Sequence, residues 1–83
     1  MHRCIVTKYL GPTDSLGSRI VARSTHGKRV IPYDSALSTR ANHMRAAAEH
    51  AYDNGWIAYA DMDTELAGGT LPTENGYAFL VPA

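Results

Sequence analysis

The chain has 83 residues, 45% of them hydrophobic and 19% charged, with a formal net charge of zero. That length holds one core, not two, and buries roughly 60–65% of the unfolded surface. It leads us to expect a single domain over residues 1–83. The alternating apolar segments exclude a disordered tail, the lone Cys4 excludes an internal disulfide, and no apolar run approaches the roughly 18 residues of a membrane span.

Residues 3–10 are rich in β-branched and aromatic types and read as a strand, with Cys4 inside it as a small core hydrophobe. Residues 11–17, with glycine at both ends, form a turn cluster. Over 18–24 the residues alternate, Ile20 and Ala22 on one face, Arg19, Val21 and Arg23 on the other. That period of two marks a half-buried antiparallel strand. Thr25-His26-Gly27-Lys28 closes a second hairpin into a strand over 29–33. Pro32 cannot donate to a ladder, so that strand is expected at an edge.

Ser38 is an N-cap for a helix over 39–54, free of glycine and proline. Ala41, Met44, Ala47, Ala48 and Ala51 recur at helical spacing, an apolar stripe of short side chains that can lie close against a sheet. Asn54-Gly55 ends the helix, and Trp56 is placed to cover the open end of the core. Residues 57–64 either extend a strand or form a loop. Residues 65–71 and 77–81 read as two more strands around a hairpin loop at 72–76. The order β-β-β-α-β-β predicts an α+β domain: a five-stranded antiparallel sheet with one helix packed on one face.

The charges are unevenly divided along this order. All eight lysines and arginines lie in residues 1–45 against only Asp14 and Asp34, a net +6, and the other six carboxylates follow with no base among them. Either the two halves fold together and their charges solubilise opposite faces, or one face meets anionic partners and another cationic ones. Two candidate surfaces follow. Asp61, Asp63 and Glu65 alternate with Met62 and Thr64; if extended, their carboxylates line one edge and can meet lysine or arginine on another protein. Lys8, Arg19, Arg23 and Lys28 can stand on the sheet face away from the helix, beside Val6 and Val21, where they could contact phosphates or a protein partner. Tyr9 is the nearest aromatic residue in sequence to serve as a base-stacking platform there.

Catalytic signatures are missing: there is no CxxC pair, HExxH helix, phosphate-cradling glycine loop or GxSxG elbow. His43 and His50 stand two helical turns apart, roughly 10 Å, too far for one zinc ion unaided, and read as polar helix positions. His2 and Cys4 make two ligands without partners. Glu49 and Asp53 read as a solvated helix face, and Gly68-Gly69 as a bulge or packing point. We therefore expect no enzyme, no cofactor and no metal.

The runs Thr7-Lys8-Tyr9-Leu10-Gly11-Pro12-Thr13, Gly17-Ser18-Arg19-Ile20 and Ile31-Pro32-Tyr33-Asp34 resemble a group of very short phage and mobile-element proteins. So do Asn42-His43, Ala46-Ala47-Ala48-Glu49, Gly55-Trp56, Gly68-Gly69, Leu71-Pro72 and Gly76-Tyr77, and the resemblance covers nearly the whole chain. It extends to anti-CRISPR proteins acting on a type I-C surveillance complex (Cascade). What it implies is non-catalytic binding to a Cas subunit that blocks DNA recognition, by a monomer in the cytoplasm of a bacterial host. The acidic half and the scarcity of aromatic platforms lead us to expect weak or no direct DNA binding. The alternative is a small nucleic-acid-binding or regulatory module using the basic face. The matching motifs are structural and carry no binding residue with them. Two departures stand out, a long segment at 57–64 and an acidity unlike the basic tail of a simple DNA binder.

Overall fold

Where residues of one strand alternate between apolar and polar, only one face of a sheet can be covered, and here a single helix covers it. The computed structural model describes the backbone of residues 2–62, 65–72 and 76–82, and the side chains of all of these but His2 and Pro82. Strands β1 (His2–Leu10), β2 (Arg19–Ser24) and β3 (Gly27–Pro32) precede helix α1 (Thr39–Asp53). A 3-10 turn (Tyr59–Asp61) and strands β4 (Ala67–Thr70) and β5 (Gly76–Pro82) follow. The sheet is antiparallel throughout, in the order β3-β2-β1-β5-β4. The expected α+β architecture and its element order hold, and Pro32 ends an edge strand. The stretch 57–64 forms no strand over its described part, residues 57–62.

The registers decide which side chains meet the helix. Tyr9 pairs with Ile20 and Ile20 with Ile31; Thr7 pairs with Ala22 and with Tyr77; Ile5 pairs with Phe79. These residues share one face, and Ile5, Ile20, Ala22, Ile31, Phe79 and Val81 form the core with Ala46, Ala47 and Ala51 of α1 and Leu66. Burying a side chain such as Phe79 stabilises the fold by about 1.5–3 kcal/mol. The methyl-sized helix residues let α1 lie across β2 and β1 and reach β3 and β5. Ala48 is also buried, yet it lines a hollow between α1 and Tyr59 and Met62 rather than joining the core cluster.

Both helix ends are satisfied locally. Ser38 accepts a hydrogen bond from the Ala41 amide at 3.1 Å. At the other end Gly55, at φ +72°, donates to Tyr52 O and Trp56 donates to Ala51 O, both at 2.9 Å. This is a Schellman ending, which needs a left-handed residue after the cap. Trp56 is thereby turned back onto the core margin. Asn42, buried inside the first turn, receives the Asp34 amide at 2.8 Å and donates to the carbonyls of Asp34 and Ser38, tying the β3–α1 loop to the helix.

The two histidines of α1 differ from the expectation of polar helix positions. His43 and His50 are 0% and 2% exposed and point into the sheet. His43 Nδ1 lies 2.7 Å from Thr7 Oγ1, and His50 Nε2 lies 2.7 Å from Ser24 Oγ. Each imidazole thus has a hydroxyl partner on a different strand, which makes its burial tolerable. Cys4 also differs: it stands exposed on the face of β1 away from the helix, opposite Leu80. Gly68 is a packing point, because a Cβ there would run into Ala78 O and Phe79 Cα of β5.

Candidate partner-binding surface

None of the five strands contains an aspartate or glutamate. Among the described residues the carboxylates lie on the helix and loops, and three of them neutralise arginines on the helix side. Arg29 Nη2 reaches Glu49 at 3.0 Å while its Nη1 reaches Asp53 at 3.0 Å. Arg45 Nε lies 3.5 Å from Glu49, and Arg40 Nη2 lies 3.6 Å from Glu65. Glu49 and Asp53 therefore grip β3 rather than forming a merely solvated face. Arg3 stacks over the Trp56 ring at 5.0 Å. In the folded chain half of the bases, Arg3, Arg29, Arg40 and Arg45, thus lie on the helix side with these carboxylates.

The other four bases converge on the helix-free face. In the register Lys8 stands opposite Val21, Val6 opposite Arg23, Leu10 opposite Arg19, Arg23 opposite Lys28, and Val21 opposite Val30. All of these positions alternate with the buried ones and point away from the helix. Arg19 and Arg23 sit four residues apart on β2, about 13 Å at a strand's rise. Lys8 and Lys28 flank them from β1 and β3. Arg19 donates to Gly17 O at 3.2 Å. No carboxylate lies within 4.0 Å of Lys8, Arg19, Arg23 or Lys28 among the described residues. Between them Val6, Leu10, Val21 and Val30 line a hollow of about 250 Å³ with Lys8, Arg23 and Lys28 at its rim.

The acidic segment is arranged differently from the expected row. Asp61 ends the 3-10 turn and is exposed, so the stretch before Met62 is not extended. Glu65 is turned towards Arg40. Asp63 lies outside the described residues. Asp61 and Glu65 do not line one strand edge, whereas all four residues of the basic set share one surface.

The aromatic side chains stay on the helix side. Tyr9 meets Tyr33 edge-on at 5.5 Å and its hydroxyl donates to Ser18 Oγ at 2.9 Å, while Tyr77 stacks on Phe79 at 5.9 Å. Tyr9 is therefore no stacking platform for the basic face. No cluster of three metal-ligating side chains occurs among the described residues. Burial holds the imidazoles of His43 and His50 below their usual value of 6.5. At His50 the nearby Asp53 carboxylate pushes up and His26 pushes down, both less than burial does. The buried pair could have been found from sequence: His43, Ala47, His50 and Ala51 follow the i, i+4, i+7, i+8 spacing of a core-facing stripe.

No protein-family model, curated protein or solved structure matches the chain.

Proposed function

We propose that this chain is a non-catalytic inhibitor of a type I-C CRISPR surveillance complex and that it binds through the helix-free face of its sheet. The observation that carries the proposed surface is the set of four cations around an apolar centre, on a sheet without a single carboxylate. The target comes from the resemblance in Thr7–Thr13, Gly17–Ile20 and Ile31–Asp34. An apolar centre inside a charged rim is the anatomy of a protein–protein interface. A standard interface takes about 800 Å² from each partner. Occupying a surface that the complex uses for DNA would block recognition without any chemistry.

The same four cations favour a second reading, a small nucleic-acid-binding or regulatory module. The apolar centre and the helix-side aromatics weigh against it, because single strands are held on aromatic platforms. One experiment separates the two. Binding of target DNA by the purified type I-C complex is measured while the protein is titrated in, alongside binding of a DNA duplex to the protein alone. The inhibitor reading predicts loss of target binding, with Arg19→Ala/Arg23→Ala needing at least tenfold more protein and Asp61→Lys behaving as wild type. If the wild-type protein leaves the complex unaffected, that reading fails. If the protein alone binds the duplex at micromolar or tighter Kd, with a log–log salt slope near −0.9 per phosphate contacted, the module replaces it.

A further inference from the structure

Val21 points away from the helix and yet is only 7% exposed. Its neighbours across the ladder, Lys8 on β1 and Val30 on β3, rise on either side and leave it as the floor of the hollow. At about 250 Å³ the hollow falls below the roughly 300–1,000 Å³ of small-molecule sites. It suits one large side chain better than a metabolite. Lys8 and Lys28 stand on opposite sides of β2, two residues out of step. Strand spacing of about 4.8 Å and a rise of about 3.4 Å place their Cα atoms about 12 Å apart, on a line that crosses β2 beside Val21.

Resting on the helix-free face as the working surface, we infer that this hollow receives an apolar anchor from an acidic extended segment of another protein, with a carboxylate two residues to each side. In an extended segment, residues i−2, i and i+2 face the same way and span about 13 Å, matching the separation of the two lysines. The anchor covers Val21 while the flanking carboxylates meet Lys8 and Lys28, with Arg23 beside them as a charge-assisted donor. A second copy of this chain is a poor occupant, since its matching face carries the same four cations. A phosphate backbone supplies charge but no apolar group to fill the centre.

The test is selection of random 12-residue peptides displayed on phage against the full chain, with counter-selection on Val21→Phe, which fills the hollow and leaves every charge. A 20-base-pair duplex serves as the competing ligand. The expected result is enrichment of peptides with one large apolar residue and acidic residues two positions to each side. Their binding weakens at least tenfold on Val21→Phe, on Val30→Glu and on Lys28→Ala, and falls with added salt. Val30 sits 44% exposed on the edge strand, so Val30→Glu tests the site even if Val21→Phe disturbs folding. No enrichment, enrichment without carboxylates, equal binding to Val30→Glu, or duplex binding tighter than every peptide overturns the inference. The surveillance complex takes no part in this selection. Failure here leaves the inhibition experiment standing, and failure there leaves the peptide result standing.

Discussion

Acidification should unfold this domain from the inside, through His43 and His50. Both imidazoles are buried, one against Thr7 of β1 and the other against Ser24 of β2. The second ring nitrogen of His43, Nε2, has no hydrogen-bond partner among the described residues. Once charged, the ring carries a proton on both nitrogens, so its Nε2–H has nowhere to donate and no anion among the described residues offsets the buried charge. Tyr77 of β5 faces it at a ring distance of 4.5 Å and offers no charge. Around His50 stand Ser24, His26, Trp56 and, on its own helix, Asp53. The sign follows from linkage. A histidine whose folded pKa lies below its unfolded value near 6.5 takes up a proton on unfolding. Its contribution is fully present above pH 6.5 and is lost as pH falls from there towards the folded pKa. Each proton taken up gives a slope of about 1.4 kcal/mol per pH unit. Two such groups therefore remove up to roughly 3 kcal/mol per unit, against a total of about 4–12 kcal/mol for a domain of this size. Urea unfolding followed by far-ultraviolet circular dichroism at pH 7.5, 6.5, 5.5 and 5.0 measures it. The expected midpoint is level above pH 7 and drops steeply below pH 6.5, and His43→Gln loses about half of the slope whatever its stability at pH 7.5. A midpoint unchanged between pH 7.5 and 5.5, or a full slope in His43→Gln, refutes the reasoning.

Ala47→Leu should cost about 1–3 kcal/mol by overpacking the helix–sheet contact, whereas Ala48→Leu, facing the open hollow beside Tyr59 and Met62, should cost less; paired thermal melts compare them. Gly68→Ala should destabilise by a similar 1–3 kcal/mol, since the new methyl meets the β5 backbone. Gly69→Ala enters open space and should be neutral or stabilise by about 0.4–1 kcal/mol. Ser38→Ala should lose about 1 kcal/mol with the N-cap bond to Ala41, read from the urea midpoint. Opposite ranking within either pair would overturn the packing assigned to that position.

The strands and helix were legible because their periods differ. Ile20 and Ala22 against Arg19, Val21 and Arg23 can only be a two-faced strand, and the alanines of 46–51 can only be a helix lying close to something flat. The basic face follows from that alternation alone, though the hollow does not. It depends on register, which brings Val21 between Lys8 and Val30, and no single strand carries that information. The histidines were misread because residue type was given more weight than position. Cys4 was misread the other way, as a buried residue type placed on the solvated side of β1. The acidic connection was legible as charge but not as shape. Its described carboxylates are set by a 3-10 turn at Asp61 and by Arg40 at Glu65, which sequence spacing alone does not predict.

The chain carries its own reporters for the central claim, that the helix-free face is the interface. Its only lysines, Lys8 and Lys28, and its only cysteine, Cys4, all stand on that face. Tyr59, 76% exposed, stands beside α1 on the other side. Brief acetylation, thiol alkylation and tyrosine iodination, read by mass spectrometry with and without a saturating type I-C surveillance complex, measure all four positions together. The account predicts that Lys8, Lys28 and Cys4 become protected at least severalfold in the complex while Tyr59 reacts as in the free protein. Protection of Tyr59 with Lys8, Lys28 and Cys4 unchanged would contradict it and move the interface to the acidic side.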